Sequence, residues 1–338
     1  MTQSPDKHSR KKGALWGMFV GDALAMPVHW YYNRRALKAD YGRVTDYRSP
    51  KNPHPDSILW RSSYTPVNAK GDILHDQSQY WGKKGVHYHQ FLQAGENTLN
   101  IKICRLLVRR LLDNGVYDAD AYLNDYIDFM TTPGTHRDTY IEEYHRYFFT
   151  NYANGKHPRA CGAIEKHISG IIGMVPLIVH YADDPDVARQ LSLEHLHLTH
   201  LGSRMTAAGQ LLLDILIPVL HGKSLFEVIA EKLYQQNNRL LGFPLIKWLD
   251  EPDENVVGRR LSTACYVEDA IPATIFLALK YHDDPAEGLI ANTNLGGDNA
   301  GRGAVLGALL GAANGFEAWP ASWIDGLCHP PPDIKLEN

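Results

Sequence analysis

The sequence has few of the features that mark secreted, zinc-binding or membrane-spanning proteins. Its 338 residues include four widely spaced cysteines, Cys104, Cys161, Cys265 and Cys328, and no CxxC pair. This pattern excludes a zinc ribbon and a dense disulfide framework. No apolar run approaches the roughly 20 residues of a membrane span, and the first twelve residues have no apolar signal core. We therefore expect a cytoplasmic protein with no membrane partner.

An excess of positive charge is also missing. The chain has 34 Lys and Arg against 38 Asp and Glu, which gives a formal net charge of -4 at pH 7. A protein that binds a long stretch of nucleic acid needs a positively charged surface, so this charge balance argues against nucleic-acid binding. A hydrophobic content of 44% with 21% charged residues is typical of ordinary globular proteins. A small ligand or a local protein target fits better.

Alternating strand patterns are scarce, whereas helical periodicity recurs along the chain. Apolar positions repeat at helical spacing in residues 98–112, 122–130, 164–181, 186–198, 205–220, 225–236 and 267–281. Residues 46–85 are rich in proline and turn formers, which indicates a long loop. With no internal repeat or linker, we predict one compact all-α domain over residues 13–325, a polar tail over 1–12 and a C-terminal tail over 326–338.

Two stripes of glycine occur at helical spacing near the two ends of the chain. Each stripe falls on one helix face: Gly13, Gly17 and Gly21 in the first, Gly303, Gly307 and Gly311 in the second. Glycine costs a helix interior about 1 kcal/mol relative to alanine, so a compensating contact is expected. We predict that the two helices cross closely, bringing Asp22 near the loop that holds Asp298.

That loop, in residues 292–315, reads NTNLGGDNAGRGAVLGALLGAANG and leads directly into the second glycine helix. Its backbone N–H groups, a helix N-terminus and Asp298 suit a phosphorylated sugar or a metal ion. Asp298 could instead be a turn residue, and Arg302 could pair with a phosphate or simply lie on the surface.

Four segments, 17–29, 161–177, 198–200 and 296–315, together resemble the ADP-ribosylglycohydrolase family. They read GMFVGDALAMPVH, CGAIEKHISGIIGMVPL, LTH and GGDNAGRGAVLGALLGAANG. The resemblance implies an all-helical fold, a two-magnesium active site and removal of ADP-ribose from a modified target.

The metal motifs depart from the family pattern. GENT at residues 95–98 stands where the family has TDDT, and GGDNAG at 296–301 stands where it has GGDTDT. Of four carboxylates, Glu96 and Asp298 remain. The resemblance then implies at most one magnesium ion, held by Glu96, Thr98 and Asp298, or a metal-free site.

From this comparison we assign candidate roles. Glu96 would orient or deprotonate water, and Asp298 would hold the ion or a ribose hydroxyl; Glu96 could also only complement its helix dipole. The candidate substrate-binding residues are His29, Asn97, Gly296, Gly297, Asn299 and Arg302.

Two further clusters are open to two interpretations. His87 and His89 could belong to a zinc site, but an exposed pair without function is favoured, since no third ligand is evident. Two aromatic groups are expected in the core, with a sugar or adenine pocket as the alternative: Trp30, Tyr31 and Tyr32 after His29, and the stripe of Tyr140, Tyr144, Tyr147 and Phe148.

The leading hypothesis is a hydrolase that cleaves a ribosyl C1″ N- or O-glycosidic bond, acting on an ADP-ribosylated protein or a small ribosyl-containing ligand. One alternative is a catalytically inactive or crystallin-like binding or structural relative. Another is a metal-independent enzyme that acts on another small ribosyl or amide substrate.

Overall fold

The computed structural model describes residues 4–235 and 239–332, which form fifteen α-helices and a two-residue parallel strand pair. The prediction of an all-α fold is confirmed. The last residue of the expected helix 225–236 lies outside the described part, as do residues 333–338 of the expected tail. The elements are α1 Lys7–Ala25, α2 Arg34–Tyr41, α3 Leu99–Asn114, α4 Ala119–Thr131, α5 Glu143–Ala153, β1 Ala163–Ile164, α6 Ser169–Ile172, α7 Met174–His180, α8 Pro185–His197, β2 His200–Leu201, α9 Ser203–Leu220, α10 Leu225–Gln235, α11 Asp253–Val256, α12 Val267–Lys280, α13 Pro285–Leu295, α14 Asn299–Asn314 and α15 Ala321–Gly326.

The first helix begins earlier than the sequence suggested, at Lys7 instead of Gly13. Asp6 caps it by accepting a hydrogen bond from the Ser9 amide at 2.7 Å, which satisfies one of the free N–H groups of the first turn. Arg10 is buried and donates to the carbonyls of Ala312 and Ala313 at the end of α14. Residues 7–12 are therefore part of the packed fold and not a free tail.

At the C-terminus, too, the packed fold extends beyond the predicted domain boundary, which was placed at residue 325. Leu327 is buried, and the Cys328 amide donates to the Gly95 carbonyl at 3.0 Å. Arg105 donates to the carbonyls of His329 and Pro330. The segment after α15 is thus held against the start of α3.

Helices α1 and α14 cross through their glycine stripes, as predicted. A Cβ built on Gly17 would lie 2.1 Å from the Gly307 carbonyl oxygen, and one on Gly307 would lie 1.9 Å from that of Gly17. Real Cβ atoms do not approach backbone this closely, so only glycine allows this crossing. The crossing holds the Asp298 end of α14 beside the end of α1.

Helix α9 is long and apolar enough to cross a membrane by length and composition alone, but 61% of it is buried inside the protein. Its buried face packs in the main apolar cluster with α7, α8 and α12. This is the behaviour of a core helix. The proline-rich segment 46–85 contains short 3-10 turns, Leu59–Arg61, Ala69–Gly71 and His75–Tyr80, in an otherwise irregular loop.

Candidate active site

A cavity of about 490 Å³ opens between the segment after α1, the start of α5 and the segment before α12. Its volume falls in the range of small-molecule sites. Its walls combine five tryptophan and tyrosine rings with four charged side chains, an imidazole and a thiol: Trp30, Tyr32, Ile58, Arg61, Ser62, Ser63, Tyr88, Tyr140, Glu142, Glu143, Arg146, His167, Ala264, Cys265 and Tyr266. This combination of flat apolar walls and convergent polar groups suits a ring-containing ligand.

Trp30 forms part of the cavity wall in a conformation that costs energy. Its φ of 63° lies in the left-handed region, which is unusual for a bulky residue. The Trp30 amide donates to the Gly297 carbonyl at 2.8 Å, and its ring stacks on His29 with centroids 3.8 Å apart. Tyr88 and Tyr140 meet the indole edge to face. The core interpretation is confirmed for Trp30, Tyr31, Tyr144 and Phe148, which are buried. Trp30 and Tyr140 also line the cavity.

Two carboxyl groups near the cavity have opposite electrostatic environments. Glu142 accepts hydrogen bonds from Asn100 Nδ2 at 2.7 Å and Ser169 Oγ at 2.8 Å, and no Lys or Arg among the described residues pairs with it. Burial and the charge of Asp298 raise the pKa of Glu142. Burial would also raise the pKa of Asp298, but the hydrogen bond from His29 and the charges of His29 and Arg302 outweigh it, so this pKa is lowered.

Asp298 begins a buried chain of polar contacts. Its Oδ1 accepts from His29 Nε2 at 2.8 Å, and His29 Nδ1 lies 2.8 Å from His89 Nε2. His89 Nδ1 in turn faces Asp138 Oδ1 at 3.2 Å. Burial lowers the pKa of His89, although its hydrogen bond to Asp138 opposes this shift. The expectation of an exposed His87 and His89 pair is wrong, because both rings are buried.

Glu96 lies at the other end of this chain and is engaged in ion pairs. Lys102 Nζ is 2.7 Å from Asp138 Oδ2 and 3.2 Å from Glu96 Oε1, and Arg137 donates to Glu96 Oε2 at 3.1 Å. Neither Glu96 nor Asp298 lines the cavity, but Asp298 reaches its wall through His29, which stacks on Trp30. Glu96 and Asp298 were expected to hold one magnesium ion together. In the structure the two carboxylates are separated, because His29, His89, Asp138 and Lys102 lie between them.

The glycine loop does not offer its amides to a ligand. The Gly296 amide donates to the Thr293 carbonyl, the Gly297 amide to Tyr31 at 2.7 Å, and the Asp298 amide to Thr263 at 2.9 Å. Both glycines have positive φ and would clash with backbone if they carried a Cβ. The expected contact between these amides and a diphosphate is corrected: the loop uses them to join segments of its own fold.

Arg302 and Asn299 are also used internally. Arg302 is fully buried and donates to Gly296 O at 2.7 Å, to Thr263 O and to Asn292 Oδ1. Asn299 Nδ2 donates to Thr293 O at 2.8 Å. Neither of the two alternatives for Arg302, a phosphate partner or a surface residue, is found. A guanidinium enclosed by carbonyls stabilises the loop and cannot reach a ligand.

Asn97 and Thr98 bind the end of α1. Asn97 Nδ2 donates to Phe19 O and Asp22 Oδ2, and Thr98 donates to Asp22 from its amide at 2.9 Å and its hydroxyl at 2.6 Å. Burial raises the pKa of Asp22 to about 6 despite these donors. The two residues therefore connect α3 to α1 through Asp22.

The predicted magnesium site does not fit these contacts. Magnesium in proteins is held by one or two carboxylates with waters, and here Glu96 is paired with Lys102 and Arg137 while Asp298 is paired with His29. Oδ1 of Asn97 and Oδ1 of Asn299 are buried acceptors without a partner in the described residues, but neutral amide oxygens supply no charge. The ammonium of Lys102 and the guanidinium of Arg137 already balance the charges of Glu96 and Asp138.

A second set of metal-type side chains lies at the cavity, which Glu143 and His167 line. One ligand atom each from Glu143, Glu165 and His167 lies within 4.8 Å of the others. Burial would lower the pKa of His167, but hydrogen bonds to Cys265 and Glu165 outweigh it and raise this pKa to about 12. This acidic and imidazole cluster was not singled out from the sequence.

Another groove of about 490 Å³ lies between α2, α11 and α13. Its charged groups contact each other or the backbone: Arg43 pairs with Glu287, and Arg34 donates to the carbonyls of Glu254 and Val257. None of the predicted site residues lines either pocket, but His29, which is hydrogen-bonded to Asp298, stacks on Trp30 in the wall of the aromatic cavity. We therefore place the candidate site in the aromatic cavity.

Most cavity residues could not be found from motifs, because they come from six short segments far apart in sequence, most of them irregular. The pairs Glu142–Glu143 and Glu165–His167 carry one weak signal, namely carboxylates and imidazoles in short segments between helices, where functional residues concentrate. Of the predicted residues, Asp298 and His29 lie beside the cavity, behind Trp30.

Comparison with known proteins gives two findings. Residues 3–337 match the family model described as ADP-ribosylglycohydrolase. A solved structure titled "ADP-ribosylglycohydrolase-related protein complex" is similar over 95% of this chain and 93% of its own, with a TM-score of 0.61 and 22% identity. At that identity the likeness shows the fold alone. The search of curated proteins finds no match.

Proposed function

Because this chain belongs to the ADP-ribosylglycohydrolase family, we propose that it hydrolyses a ribosyl C1″ N- or O-glycosidic bond in the aromatic cavity. The substrate class would be ADP-ribose attached to a modified target, or a smaller ligand with the same ribosyl group. Family membership supports the glycohydrolase chemistry. The cavity supports the place where it occurs.

The observation that carries this proposal is the pair of carboxyl groups with opposed pKa shifts. Glu142, with its raised pKa, would be the proton donor to the leaving atom, and Asp298, with its lowered pKa, would stay ionised. Glycosidases use this division of roles, because an acid assists departure while an anion stabilises the oxocarbenium-like transition state.

His29 would act as a positioning residue for Asp298. It fixes one carboxylate oxygen through Nε2 and is itself held by His89 and the stacked Trp30 ring. A buried carboxylate that is oriented before substrate arrives needs no rearrangement when positive charge develops on the ribose. The cost of the Trp30 backbone conformation is consistent with such a held site.

The cavity walls suit the rest of the proposed substrate. Tyr32 and Tyr266, which are both exposed, offer aromatic surfaces for an adenine or ribose ring, and Arg61 offers a cation for a phosphate. Arg61 is exposed and lies over the Trp60 ring. Since the family's two-magnesium arrangement does not fit residues 95–98 and 296–301, no step of this proposal passes through magnesium.

The test is release of free ADP-ribose from arginine-linked and serine-linked ADP-ribosyl peptides. We expect wild type to release ADP-ribose with no stimulation by added magnesium, and Glu142→Gln to be slower by roughly 10²- to 10⁴-fold, the usual contribution of a general acid. Glu227→Gln, an exposed glutamate on α10, is the matched control and should keep the wild-type rate.

Release that requires added magnesium, or a Glu142→Gln variant as active as wild type, would contradict this mechanism. Release from neither peptide, by a protein that still binds ADP-ribose in the cavity, would favour the non-hydrolytic binding relative instead.

A further inference from the structure

We propose that a cationic rim beside the aromatic cavity binds acidic residues that flank the modified residue of a protein target. The rim consists of Trp60, Arg61, Lys84, Lys166 and Tyr266, which are all exposed. The inference rests on the proposed function and deepens it, because it names the target as a peptide with negatively charged neighbours around the modified residue.

A peptide that carries ADP-ribose has to pass this rim. The ribosyl bond that is cut joins the ADP-ribose in the cavity to a side chain of the target, so the peptide backbone stays outside the opening. Arg61 and Tyr266 belong both to the rim and to the cavity wall. Residues on either side of the modified one therefore lie against the rim while the bond is cut.

The two aromatic rings of the rim hold cations above their faces. Arg61 Cζ lies 4.4 Å and Lys84 Nζ lies 5.1 Å from the centre of the Trp60 ring. Lys166 Nζ lies 4.2 Å from the centre of the Tyr266 ring. A ring face attracts a cation without accepting all of its N–H groups, so these groups keep donors for an anionic ligand.

The three cations have no acidic partner. No Asp or Glu among the described residues forms an ion pair with Arg61, Lys84 or Lys166, although Asp269 is near enough for its charge to interact with that of Lys166. Glu143, a carboxylate of the cavity wall, lies 3.7 Å from Arg146 instead. Grouped cations that no carboxylate neutralises attract anions.

Backbone contacts fix the segments that present these cations. The Arg61 amide donates to Ile58 O at 2.8 Å, and the Gly82 amide donates to Leu59 O, which ties the Lys84 segment to the Trp60 turn. The Val267 amide donates to Lys166 O at 2.8 Å, which holds the Lys166 backbone beside Tyr266. A surface that is arranged before binding loses less entropy when a ligand arrives.

The composition of the rim favours a peptide over a nucleic acid. Exposed Trp, Tyr and Arg side chains are enriched at protein interfaces and contribute most to their affinity. Trp60 is the one exposed tryptophan among the described residues. A nucleic-acid strand needs cations along many phosphates, whereas this chain has a net charge of -4 and the rim has three cations.

Steady-state kinetics with two ADP-ribosyl peptides test the proposal. The peptides are identical except that the residues flanking the modified one are Glu in the first and Gln in the second. We expect KM to be at least about threefold lower for the Glu peptide with kcat unchanged, because each exposed ion pair changes affinity by about 1.4- to 5-fold. In roughly 1 M salt this preference should disappear, since the Debye length is then about 3 Å.

Lys84→Glu and Lys166→Glu should each remove the preference for the Glu peptide. Neither lysine lines the cavity, so the inhibition constant of free ADP-ribose should stay at the wild-type value. Lys223→Glu is the matched control and should keep the preference. Lys223 is exposed and follows α9, where the neighbouring His221 lies 3.7 Å from Asp183 beside the start of α1, whereas the cavity lies beyond the end of α1.

Hydrolysis with equal KM values for the two peptides would overturn this inference and leave the proposed function intact. An ADP-ribose inhibition constant that rises with KM in Lys84→Glu would also overturn it, because the cations would then bind the diphosphate.

If neither peptide is hydrolysed, fluorescence anisotropy of the same labelled peptides decides the question. Tighter binding of the Glu peptide that is lost in Lys84→Glu would support the rim although the proposed function fails, and equal binding would refute both. Tighter binding of a single-stranded DNA of similar length would assign the rim to nucleic acid and refute the peptide.

Discussion

At the scale of single residues, the polar groups of the family-like motifs serve the fold more than a ligand. Arg302 is enclosed by carbonyl groups, and the amides of Gly297 and Asp298 donate to neighbouring segments. Polarity and glycine spacing are the same for a ligand loop and for a loop that joins distant segments, so the sequence could not separate the two. The partners, Tyr31 and Thr263, are remote in sequence.

Glu96 provides a prediction at this scale. In Glu96→Gln, Arg137 loses its carboxylate partner, whereas Lys102 keeps Asp138. We expect a loss of about 1–3 kcal/mol in the free energy of unfolding, typical of a broken buried polar contact, with kcat within a few-fold of wild type. Urea unfolding and steady-state kinetics measure the two quantities. A loss of kcat as large as that in Glu142→Gln would return Glu96 to the catalytic role that its motif suggests.

At the scale of secondary-structure elements, glycine spacing predicted a tertiary contact between helices that begin 292 residues apart, at Lys7 and Asn299. The reason is physical: two helices that give up side chains on one face do so in order to approach each other. The start of α1 was placed too late, because residues 7–12 are polar and pack through the long stems of Arg10 and Lys11.

Gly307→Ala tests this crossing. The added methyl group would lie 1.9 Å from the Gly17 carbonyl oxygen, and backbone cannot move aside as a side chain can. We expect the free energy of unfolding to fall by at least about 3 kcal/mol, at the upper end of overpacking effects. Urea denaturation measures this change.

Gly209→Ala in α9 is the matched control, because its new methyl group would meet the flexible Met174 and Leu196 side chains. Its stability should stay within about 1 kcal/mol of wild type, since alanine also favours the helix. An equal loss of stability in the two variants would contradict this prediction. It would mean that any glycine inside a helix is needed to the same extent, whether or not it lies at the α1–α14 crossing.

At the scale of the whole molecule, helical periodicity and motif order predicted the fold, and the cavity required the structure. Its walls come from segments around residues 30–32, 58–63, 88, 140–146, 167 and 264–266, most of which lie outside the α-helices and carry no periodic signal. Glu96 forms ion pairs, and Asp298 is held by a pair of imidazoles. Both arrangements depend on Asp138, Lys102 and His89, which come close together only when the chain folds. The left-handed conformation of Trp30 has no signal in its residue type.

The central claim is that a protonated Glu142 works beside an ionised Asp298, and the pH dependence of kcat/KM tests it most directly. Asp298 has a lowered pKa and must be ionised, so activity should rise as pH increases through that value. Glu142 has a raised pKa and must be protonated, so activity should fall again as pH increases through its own. We predict a bell-shaped profile for wild type and a residual Glu142→Gln activity without the alkaline fall. An alkaline fall that persists unchanged in Glu142→Gln, or a wild-type profile that is flat through this range, would contradict the account.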